Sequence, residues 1–306
     1  MARKRQRGRN VNGILLLDKS VGMTSNAALQ EVKKLFNARK AGHTGSLDPL
    51  ASGLLPLCMG EATKLSAFLL DADKVYEGVC QLGSKTSTGD AEGEVIETRP
   101  VPEFNEESLK KLFIQFMGDI EQIPPMHSAI KKDGQPLYKL AHQGIEVERE
   151  PRQVHIYQLE LLEIRETSFK FHLHCSKGTY VRTLVEDMGE ILGCGAHLTD
   201  LRRIQVGPFE LADAVTSEEL VHVAADEGFD GLDKLMIPME KALANWPAVH
   251  LSENSTYYVR QGQPVQVAKA PTSGWVRLFA SNDSFIGVGQ ILEDGRVAPK
   301  RLLNVG

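Results

Sequence analysis

The sequence predicts an α+β fold with a smaller β domain at the C-terminal end, and three observations lead to this prediction. The first is length, because 306 residues suggest about two domains. The second is that helical and strand periodicities follow one another without a regular strand–helix repeat, which favours α+β. The third is a change of composition at Trp246-Pro247, after which short strand-like runs take over.

Helical periodicity predicts three core helices in the larger part. The first follows good N-cap residues at positions 24–26, and its apolar positions 29, 32 and 36 fall three and four apart. The second is expected at about 106–117, ended by Gly118. The third is expected at 183–192, ended by Gly193.

Strand periodicity is clearest at 169–175, where apolar residues at the odd positions alternate with polar ones. Beyond Pro247, one short helical piece ends at Gly262. Four strand-like runs follow, at 264–267, 275–280, 285–292 and 296–298. Asp294-Gly295 is a strong hairpin signal between the last two runs. A region of this kind predicts a small β-barrel or sandwich.

Composition excludes several classes of protein. Hydrophobic residues make up 42% of the chain and charged residues 25%, as in ordinary globular proteins, which excludes disordered and collagen-like chains. The apolar run at 14–17 is shorter than the roughly 7–15 residues of a signal-peptide core, and no run approaches the roughly 18 residues of a membrane span. Four scattered cysteines form no C-x-x-C pair. We therefore expect a reduced, cytoplasmic protein without structural zinc.

Net charge argues at first against nucleic acid, but the charges are unevenly distributed. Lysine and arginine number 35 and aspartate and glutamate 40, for a net charge of -5. Five basic residues and no acid fall within the first ten positions, namely Arg3, Lys4, Arg5, Arg7 and Arg9. An acidic block occupies 210–240, and we expect it to face away from any nucleic acid. Local rather than net charge decides where nucleic acid binds.

Three familiar signatures are too weak to carry a function. The glycine-containing segment 78–86 is one residue longer than a P-loop. Gly193-Cys194-Gly195 lacks the third glycine of a dinucleotide fingerprint. His172 and His174 would share a strand face, but no third metal ligand is spaced to join them.

Residues 42–56 predict a tightly held loop that presents one carboxylate. The segment has three glycines, two prolines, His43 and a single acid, Asp48. Pro49 biases the residue before it toward an extended backbone, which directs the Asp48 side chain. From these residues alone, an ordinary Asp-Pro turn is the commoner interpretation.

The same loop resembles a known catalytic motif. Gly42-His43-Thr44-Gly45-Ser46-Leu47-Asp48-Pro49 is similar to the motif of the TruB family of bacterial tRNA pseudouridine synthases. Further stretches resemble that family in the same order, at 13–19, 74–78, 86–90, 122–129, 178–182 and 198–203. The resemblance runs from about Asn12 to Pro208. It departs from the family at Ser20, usually proline, and at His127, where an aromatic residue is commoner.

The resemblance implies a domain organisation. A basic tail is expected at 1–10 and a catalytic domain at 11–246, with a mixed, largely antiparallel central sheet flanked by helices. The region 247–306 resembles the small β-barrel PUA domain of these enzymes. An RNA-binding insertion is expected at about 124–152, where two aromatic residues are interspersed among five cationic ones: Lys131, Lys132, Lys139, Arg149, Arg152, Tyr138 and His142. A long solvated hairpin is the alternative interpretation of this insertion.

The implied reaction is isomerisation of uridine-55 in the TΨC loop of tRNA to pseudouridine, by base flipping and without a cofactor. Asp48 resembles the family's catalytic aspartate, and an ionised carboxylate can act as nucleophile. Attack on sugar C1′, attack on base C6 and a glycal route all remain open. Arg182 matches the cation that keeps this carboxylate ionised. An extended chain after Gly178 would point Tyr180 and Arg182 to the same side.

The resemblance also implies a pocket for the extruded base. Tyr76 matches the tyrosine that stacks on the target base, and Tyr180 and Leu201 match residues that line the pocket. The hydroxyl of Tyr180 is the best placed for proton transfer. Packing in a core is the alternative for either tyrosine.

Remaining expectations concern the RNA and rival functions. His43 resembles the histidine that stacks within the opened T-loop, and Lys19 and Lys64 are candidate phosphate contacts. We expect a monomer whose partner is the T-arm of tRNA, with no membrane and no metal. A guide-RNA-dependent pseudouridine synthase and a non-catalytic tRNA-binding or tRNA-folding protein are the alternatives. A hydrolase is a weaker one, because no G-x-S-x-G elbow is present and Ser46 has no evident base.

Overall fold

The computed structural model describes residues 8–141 and 143–304, in which eighteen strands, eight α-helices and three short 3-10 helices occur. The first nine strands are β1 (Gly13–Lys19), β2 (Ala41–His43), β3 (Ser52–Met59), β4 (Lys74–Leu82), β5 (Ser84–Thr86), β6 (Val95–Thr98), β7 (Gly118–Gln122), β8 (Lys131–Lys132) and β9 (Gln135–Pro136). The others are β10 (Arg152–Ile164), β11 (Ser168–Cys175), β12 (Ala196–Val206), β13 (Phe209–Glu210), β14 (Val215–Thr216), β15 (Ala248–His250), β16 (Trp275–Phe279), β17 (Phe285–Ile291) and β18 (Val297–Leu302). The helices are α1 (Ser25–Leu35), α2 (Ser66–Leu70), α3 (Glu106–Ile114), α4 (Leu137–Ala141), α5 (Val181–Ile191), α6 (Ser217–Asp226), α7 (Gly228–Lys234) and α8 (Glu253–Arg260).

A ten-stranded mixed sheet organises the larger part of the chain. Its order is β14-β1-β3-β12-β4-β11-β10-β7, with β2 attached to β3 and β13 to β12. The pairings of β1 with β14 and of β3 with β12 are parallel, and the other pairings of this sheet are antiparallel. The predicted α+β fold with a largely antiparallel central sheet is confirmed.

The strand order separates two clusters of charge. Strand β14 forms one edge of the sheet and leads directly into α6 and α7, which lie in the acidic block. The insertion connects β7 to β10 at the opposite edge. The acidic block and the insertion therefore lie at opposite ends of the sheet.

One face of the sheet packs against α3 and α5. Phe169 and Phe171 of β11 are fully buried there with Leu109 of α3 and Leu184 of α5. Gly78 of β4 lies opposite Phe171 in the antiparallel register, and a Cβ at this position would lie 2.6 Å from the Phe171 ring. The ring occupies the space that a larger residue at position 78 would need.

The residues after Pro247 form a second sheet in the order β15-β16-β17-β18, which confirms the predicted small C-terminal β domain. The hairpin between β17 and β18 turns at Asp294-Gly295, as predicted. The strand expected at 264–267 is wrong, because this segment contributes only a bridge between Val265 and Val297. Pro264 supplies no N–H with which to extend that pairing.

The two sheets share part of their hydrophobic core. Phe285, Val288 and Leu303 of the C-terminal part are buried in one cluster with Ile14 and Leu16 of β1. At the margin of this cluster, the rings of Trp246 and Trp275 stack with centroids 5.3 Å apart, and the Phe68 ring packs edge-on against both.

Three boundaries differ from the sequence predictions. Helix α3 ends at Ile114, because 115–117 form a turn that keeps Phe116 in the core. The loop predicted at 42–56 is shorter, since its ends belong to β2 and β3. The extended chain considered after Gly178 stops at Tyr180, the N-cap residue of α5, because Arg182 lies in the first turn of that helix.

Candidate active site

Neighbouring elements fix the loop that carries Asp48 on both sides of the carboxylate. Ser25, the first residue of α1, accepts a hydrogen bond from the Leu47 N–H at 2.7 Å and donates to the Leu47 carbonyl at 3.0 Å. The Gly22 N–H donates to the Pro49 carbonyl at 2.8 Å. The backbone around Asp48 is therefore held by the segment that begins α1.

Arg182 joins Asp48 to a second aspartate, Asp90. The Arg182 guanidinium lies 3.0 Å from a carboxylate oxygen of Asp48 and 3.5 Å from one of Asp90. The side chains of Arg182 and Asp90 are 7% and 3% exposed, whereas that of Asp48 is 44% exposed. Asp48 is thus the member of this trio that a bound molecule can reach.

Backbone acceptors complete the surroundings of Arg182. It donates to the carbonyl of Thr88 at 3.0 Å and to the carbonyl of His127 at 2.8 Å. Asp90 in turn accepts a hydrogen bond from the Glu92 N–H at 3.1 Å. Because the guanidinium donors form a rigid fork, contacts from several segments define its orientation.

Opposing effects act on the ionisation of Asp48. Burial raises the pKa of Asp48 above its ordinary value, and the negative charge of Asp90 raises it further. Arg182 lowers this pKa by its charge and its hydrogen bond, and Lys19 lowers it by its charge. Lys19 is itself fully buried, and its ammonium donates to the carbonyls of Ser20 and Met23 at 2.8 and 2.7 Å. Burial lowers the pKa of Lys19 to about 8. The two cations favour the ionised form of Asp48.

Tyr76 and Leu201 lie close to the Asp48 loop in one hydrophobic cluster with Leu47. They are 9% and 6% exposed. Burial raises the pKa of the Tyr76 phenol, and the charge of Arg203 and its hydrogen bond to the phenol oppose that rise. The structure thus brings Tyr76 and Leu201 together but covers most of the tyrosine ring.

Tyr180 stands at the start of α5, two residues before Arg182. Its side chain is half-buried and its phenol lies beside Ser128 of the insertion. Burial raises the pKa of Tyr180, which keeps the phenol protonated near neutral pH. Its backbone N–H and carbonyl are both bonded to the carboxamide of Gln122.

His43 and the two candidate phosphate-binding lysines lie in different surroundings. The Nδ1 atom of His43 is buried without a hydrogen-bond partner among the described residues, and burial followed by the charge of Arg203 lowers the pKa of His43. Lys19 is not the exposed phosphate contact that the sequence predicts, because its ammonium is enclosed by backbone carbonyls. The ammonium of Lys64 lies 2.6 Å from Glu61 and donates to the carbonyl of Leu302 at 3.0 Å, where the two sheets meet.

The insertion is less basic than its cations alone indicate. Four acids, Asp133, Glu146, Glu148 and Glu150, accompany its five cations. Arg149 pairs with Glu146 at 3.1 Å and Lys132 donates to the Glu148 carbonyl at 2.6 Å. Lys131 and Lys139 are exposed. His142 lies outside the described residues.

The basic tail is mostly outside the described residues, since Arg3, Lys4, Arg5 and Arg7 precede residue 8. Arg9 is described, and it pairs with Asp233 of α7. Its guanidinium also lies 4.3 Å from the centre of the Phe229 ring. Arg9, the last cation of the predicted basic tail, is therefore engaged by the acidic block.

Four polar residues of this site were not singled out from the sequence. They are Ser25, Asp90, Gln122 and Arg203. Each places a side chain against the loop, Arg182, Tyr180 or Tyr76. The last three belong to stretches that resemble the family, and that resemblance was the available signal for them.

Residues 8–141 and 143–304 contain no group of three or more His, Cys, Asp or Glu side chains placed to hold a metal ion. Over the same residues, no helix has the length and apolar character needed to cross a membrane.

Family models match nearly the whole chain in three consecutive parts. Residues 33–181 match the N-terminal domain of TruB family pseudouridylate synthases. Residues 182–244 match the tRNA pseudouridylate synthase B C-terminal domain, and residues 247–303 match the C-terminal part of pseudouridine synthase II TruB.

Curated relatives and a solved structure agree with these matches. A tRNA pseudouridine synthase B from Nitrosococcus oceani is 56% identical over 98% of this chain and 97% of its own length. One from Ectopseudomonas mendocina is 57% identical over 100% of both chains. A crystal structure of a Cbf5-Nop10-Gar1 complex matches 95% of this chain and 84% of its own with a TM-score of 0.74 and 27% identity. The chain therefore belongs to the TruB family of pseudouridylate synthases.

Proposed function

We propose that this protein converts uridine-55 in the TΨC loop of tRNA to pseudouridine, with Asp48 as its catalytic carboxylate. The observation that carries the proposal is the contact of 3.0 Å between Asp48 and Arg182, in which the carboxylate is the exposed partner. The substrate class follows from relatives named tRNA pseudouridine synthase B that align over the full chain.

The reaction breaks the bond between N1 of uracil and C1′ of ribose, and joins C5 of the same base to C1′. C5 loses a proton and N1 gains one, so substrate and product have the same composition. No electrons are gained or lost overall. The protein must therefore supply charge, a route for the proton and a pocket that holds the free base.

Asp48 supplies the charge. A carboxylate that attacks C1′, attacks C6 or removes a sugar proton on a glycal route must be ionised in each case. Arg182 and Lys19 favour that form against the effect of burial. Asp90 holds Arg182 from the other side but is itself buried, which leaves Asp48 to meet the substrate.

A uridine within a folded loop must leave its stack before the enzyme can act on it. Tyr76 and Leu201 provide apolar surface close to Asp48 for the flipped base. Because Tyr76 is only 9% exposed, binding of the base requires part of this ring to be uncovered. Tyr180 is our candidate for moving the C5 proton, since its hydroxyl stands at the same helix start as Arg182.

The T-arm would be held by several regions. His43 is in the strand before the Asp48 loop, and its lowered pKa favours a neutral ring that can stack on a base. We assign tRNA contacts to the insertion at 124–152 and to a PUA-like domain at 247–306, following a catalytic domain at 11–246. All four cysteines are free and buried, which is typical of proteins in a reducing compartment such as the cytoplasm, and we propose that the enzyme works there as a monomer.

The test measures release of tritium from a tRNA transcript labelled at uridine C5. The wild-type protein should release tritium from uridine-55, and Asp48→Asn should abolish the release. Glu163→Gln is the matched control, because Glu163 is a partly exposed carboxylate that also pairs with an arginine, Arg165, but at the end of β10. Full activity of Asp48→Asn would contradict the role of this carboxylate.

The same assay separates the alternatives. Activity on bare tRNA, with no added RNA or protein, would exclude dependence on a guide RNA. Binding of tRNA with no release of tritium by the wild-type protein would instead indicate a non-catalytic tRNA-binding or tRNA-folding protein.

A further inference from the structure

Gln122 makes two hydrogen bonds to a single residue of the site. It is the last residue of β7 and is 2% exposed. Its carboxamide oxygen accepts a hydrogen bond from the Tyr180 N–H at 3.0 Å, and its carboxamide nitrogen donates to the Tyr180 carbonyl at 3.3 Å. Both backbone groups of Tyr180 are therefore bound by one side chain from another strand.

This pair of bonds lies at the start of α5. Tyr180 is the N-cap residue of α5, and its own side chain makes no capping hydrogen bond. The first N–H groups of a helix have no partner within the helix and need partners from elsewhere in the protein. The direction of the first turn also depends on the residue that precedes it. Because Arg182 belongs to that turn, the position of the Tyr180 backbone governs where the guanidinium meets Asp48.

Gln122 also stands at the base of the insertion. The chain enters the insertion at Pro124, and the His127 carbonyl accepts a hydrogen bond from Arg182 at 2.8 Å. The Tyr180 phenol lies beside Ser128. The start of the insertion thus touches the side chains of both Arg182 and Tyr180, and Gln122 holds the backbone of Tyr180.

We infer that Gln122 is a positioning residue of the isomerisation, which sets the Tyr180 phenol and the Arg182 guanidinium against Asp48 by binding the Tyr180 backbone. This inference rests on the proposed function. It does not require Gln122 to contact RNA. Its effect should therefore appear in the rate of the chemical step and not in the affinity for tRNA, since small misplacements of catalytic groups are costly to rate.

The experiment compares two substitutions of Gln122 with one control. Gln122→Met has a similar length but makes neither hydrogen bond, and Gln122→Glu keeps the acceptor but lacks the donor. Gln81→Met is the matched control, because Gln81 is a strand glutamine whose carboxamide donates to the backbone carbonyls of Leu82 and Thr167, both at 3.0 Å, away from Asp48. Each variant is assayed for single-turnover tritium release, tRNA affinity and thermal stability.

We expect Gln122→Met to lower the single-turnover rate by about 10- to 100-fold, with tRNA affinity within about threefold of wild type. Gln122→Glu should fall between wild type and Gln122→Met, and Gln81→Met should keep the wild-type rate. A rate for folded Gln122→Met within about twofold of wild type would overturn the inference. Lost affinity at an unchanged rate would also overturn it.

A pH profile separates positioning from general support of the fold. Asp48 faces Arg182, Asp90 and Lys19, and Arg182 favours its ionised form. A displaced guanidinium would raise the pKa of Asp48, so the acid limb of Gln122→Met should move to higher pH. An unmoved acid limb with a lowered melting temperature alone would overturn the inference.

Two outcomes remain to be assigned. If Gln122→Met does not fold, the nearly isosteric Gln122→Glu decides, and a wild-type rate for that variant overturns the inference. If the wild-type protein releases no tritium, the proposed function fails and the inference fails with it. If the wild type is active and Gln122→Met has the same rate, the inference is rejected and the proposed function stands.

Discussion

Arg203 of β12 is paired with Tyr76 on the adjacent strand β4, and its side chain links this tyrosine to the Asp48 loop. Its Nε atom donates to the Leu54 carbonyl at 2.8 Å, and another guanidinium nitrogen donates to the Gly45 carbonyl at 3.1 Å. Arg203 is 1% exposed. A single buried cation thus fixes the tyrosine relative to both ends of the loop.

Replacing this arginine should destabilise the fold and slow the reaction. Arg203→Lys loses the forked donors and leaves buried carbonyls without partners, at a cost of about 1–3 kcal/mol for each unsatisfied group. Arg202→Lys is the matched control, because Arg202 is 39% exposed and its ion pair with Asp18 is worth about 0–1 kcal/mol. Urea unfolding and single-turnover tritium release measure both effects. Equal stability of the two variants would contradict this account.

Removing the charge of Asp90 should shift the acid limb of activity. Asp90 raises the pKa of Asp48, so Asp90→Asn should lower that pKa. In the proposed mechanism, activity requires ionised Asp48 and falls as pH falls through its pKa, so the acid limb should move to lower pH. The pH dependence of single-turnover release measures the shift, with Glu163→Gln as the unshifted control. Movement to higher pH would show that Asp90 acts in some other way.

The contact between α1 and the loop can be tested with two adjacent residues. Ser25→Ala removes both bonds to Leu47 and should lower the rate about tenfold or more, because the Asp48 loop loses its anchor. Thr24→Ala removes the N-cap bond to Ala27 and should cost about 0.5–2 kcal/mol of stability with no change in rate. Equal rates for these two variants, after correction for folded fraction, would argue against the anchor.

Gly53 is required where β3 meets β12. Its φ is +97°, and a Cβ there would lie 2.3 Å from the Arg203 carbonyl oxygen. Gly53→Ala should therefore cost several kcal/mol, roughly the upper range for point substitutions, and disturb the Asp48 loop. Gly22→Ala is the control, because Gly22 has φ +82° but nothing within 4 Å of the added Cβ. In chemical denaturation, the free energy of unfolding of Gly53→Ala should be well below that of Gly22→Ala.

The basic tail should contribute to tRNA binding by charge alone. Deleting residues 1–9 also removes Arg9, which pairs with Asp233, so deletion of residues 1–7 isolates the other four cations. Affinity for tRNA should fall. The plot of log affinity against log salt concentration should also become less steep, with the magnitude of its slope smaller by up to about 3. Filter binding across salt concentrations measures this. An unchanged slope would mean that the tail makes no phosphate contact.

Local sequence patterns determined individual strands, turns and helix starts. The periodicity at 169–175 predicted β11, Asp294-Gly295 predicted the last hairpin, and the capping residues at 24–26 predicted the start of α1. The composition of 42–56 predicted a loop around Asp48. These features follow from steric and hydrogen-bonding preferences within a few residues.

Only the tertiary structure decided how the site is assembled. Asp48, Asp90 and Arg182 come from distant segments, and their contacts depend on strand order and register, which no local pattern encodes. The start of α5 at Val181 overrode the extended chain expected there. Burial likewise turned Lys19 from an expected surface cation into an enclosed one. Sequence could single out Asp48 as the candidate carboxylate, but packing determined which charges surround it, because desolvation and Coulomb forces act through space.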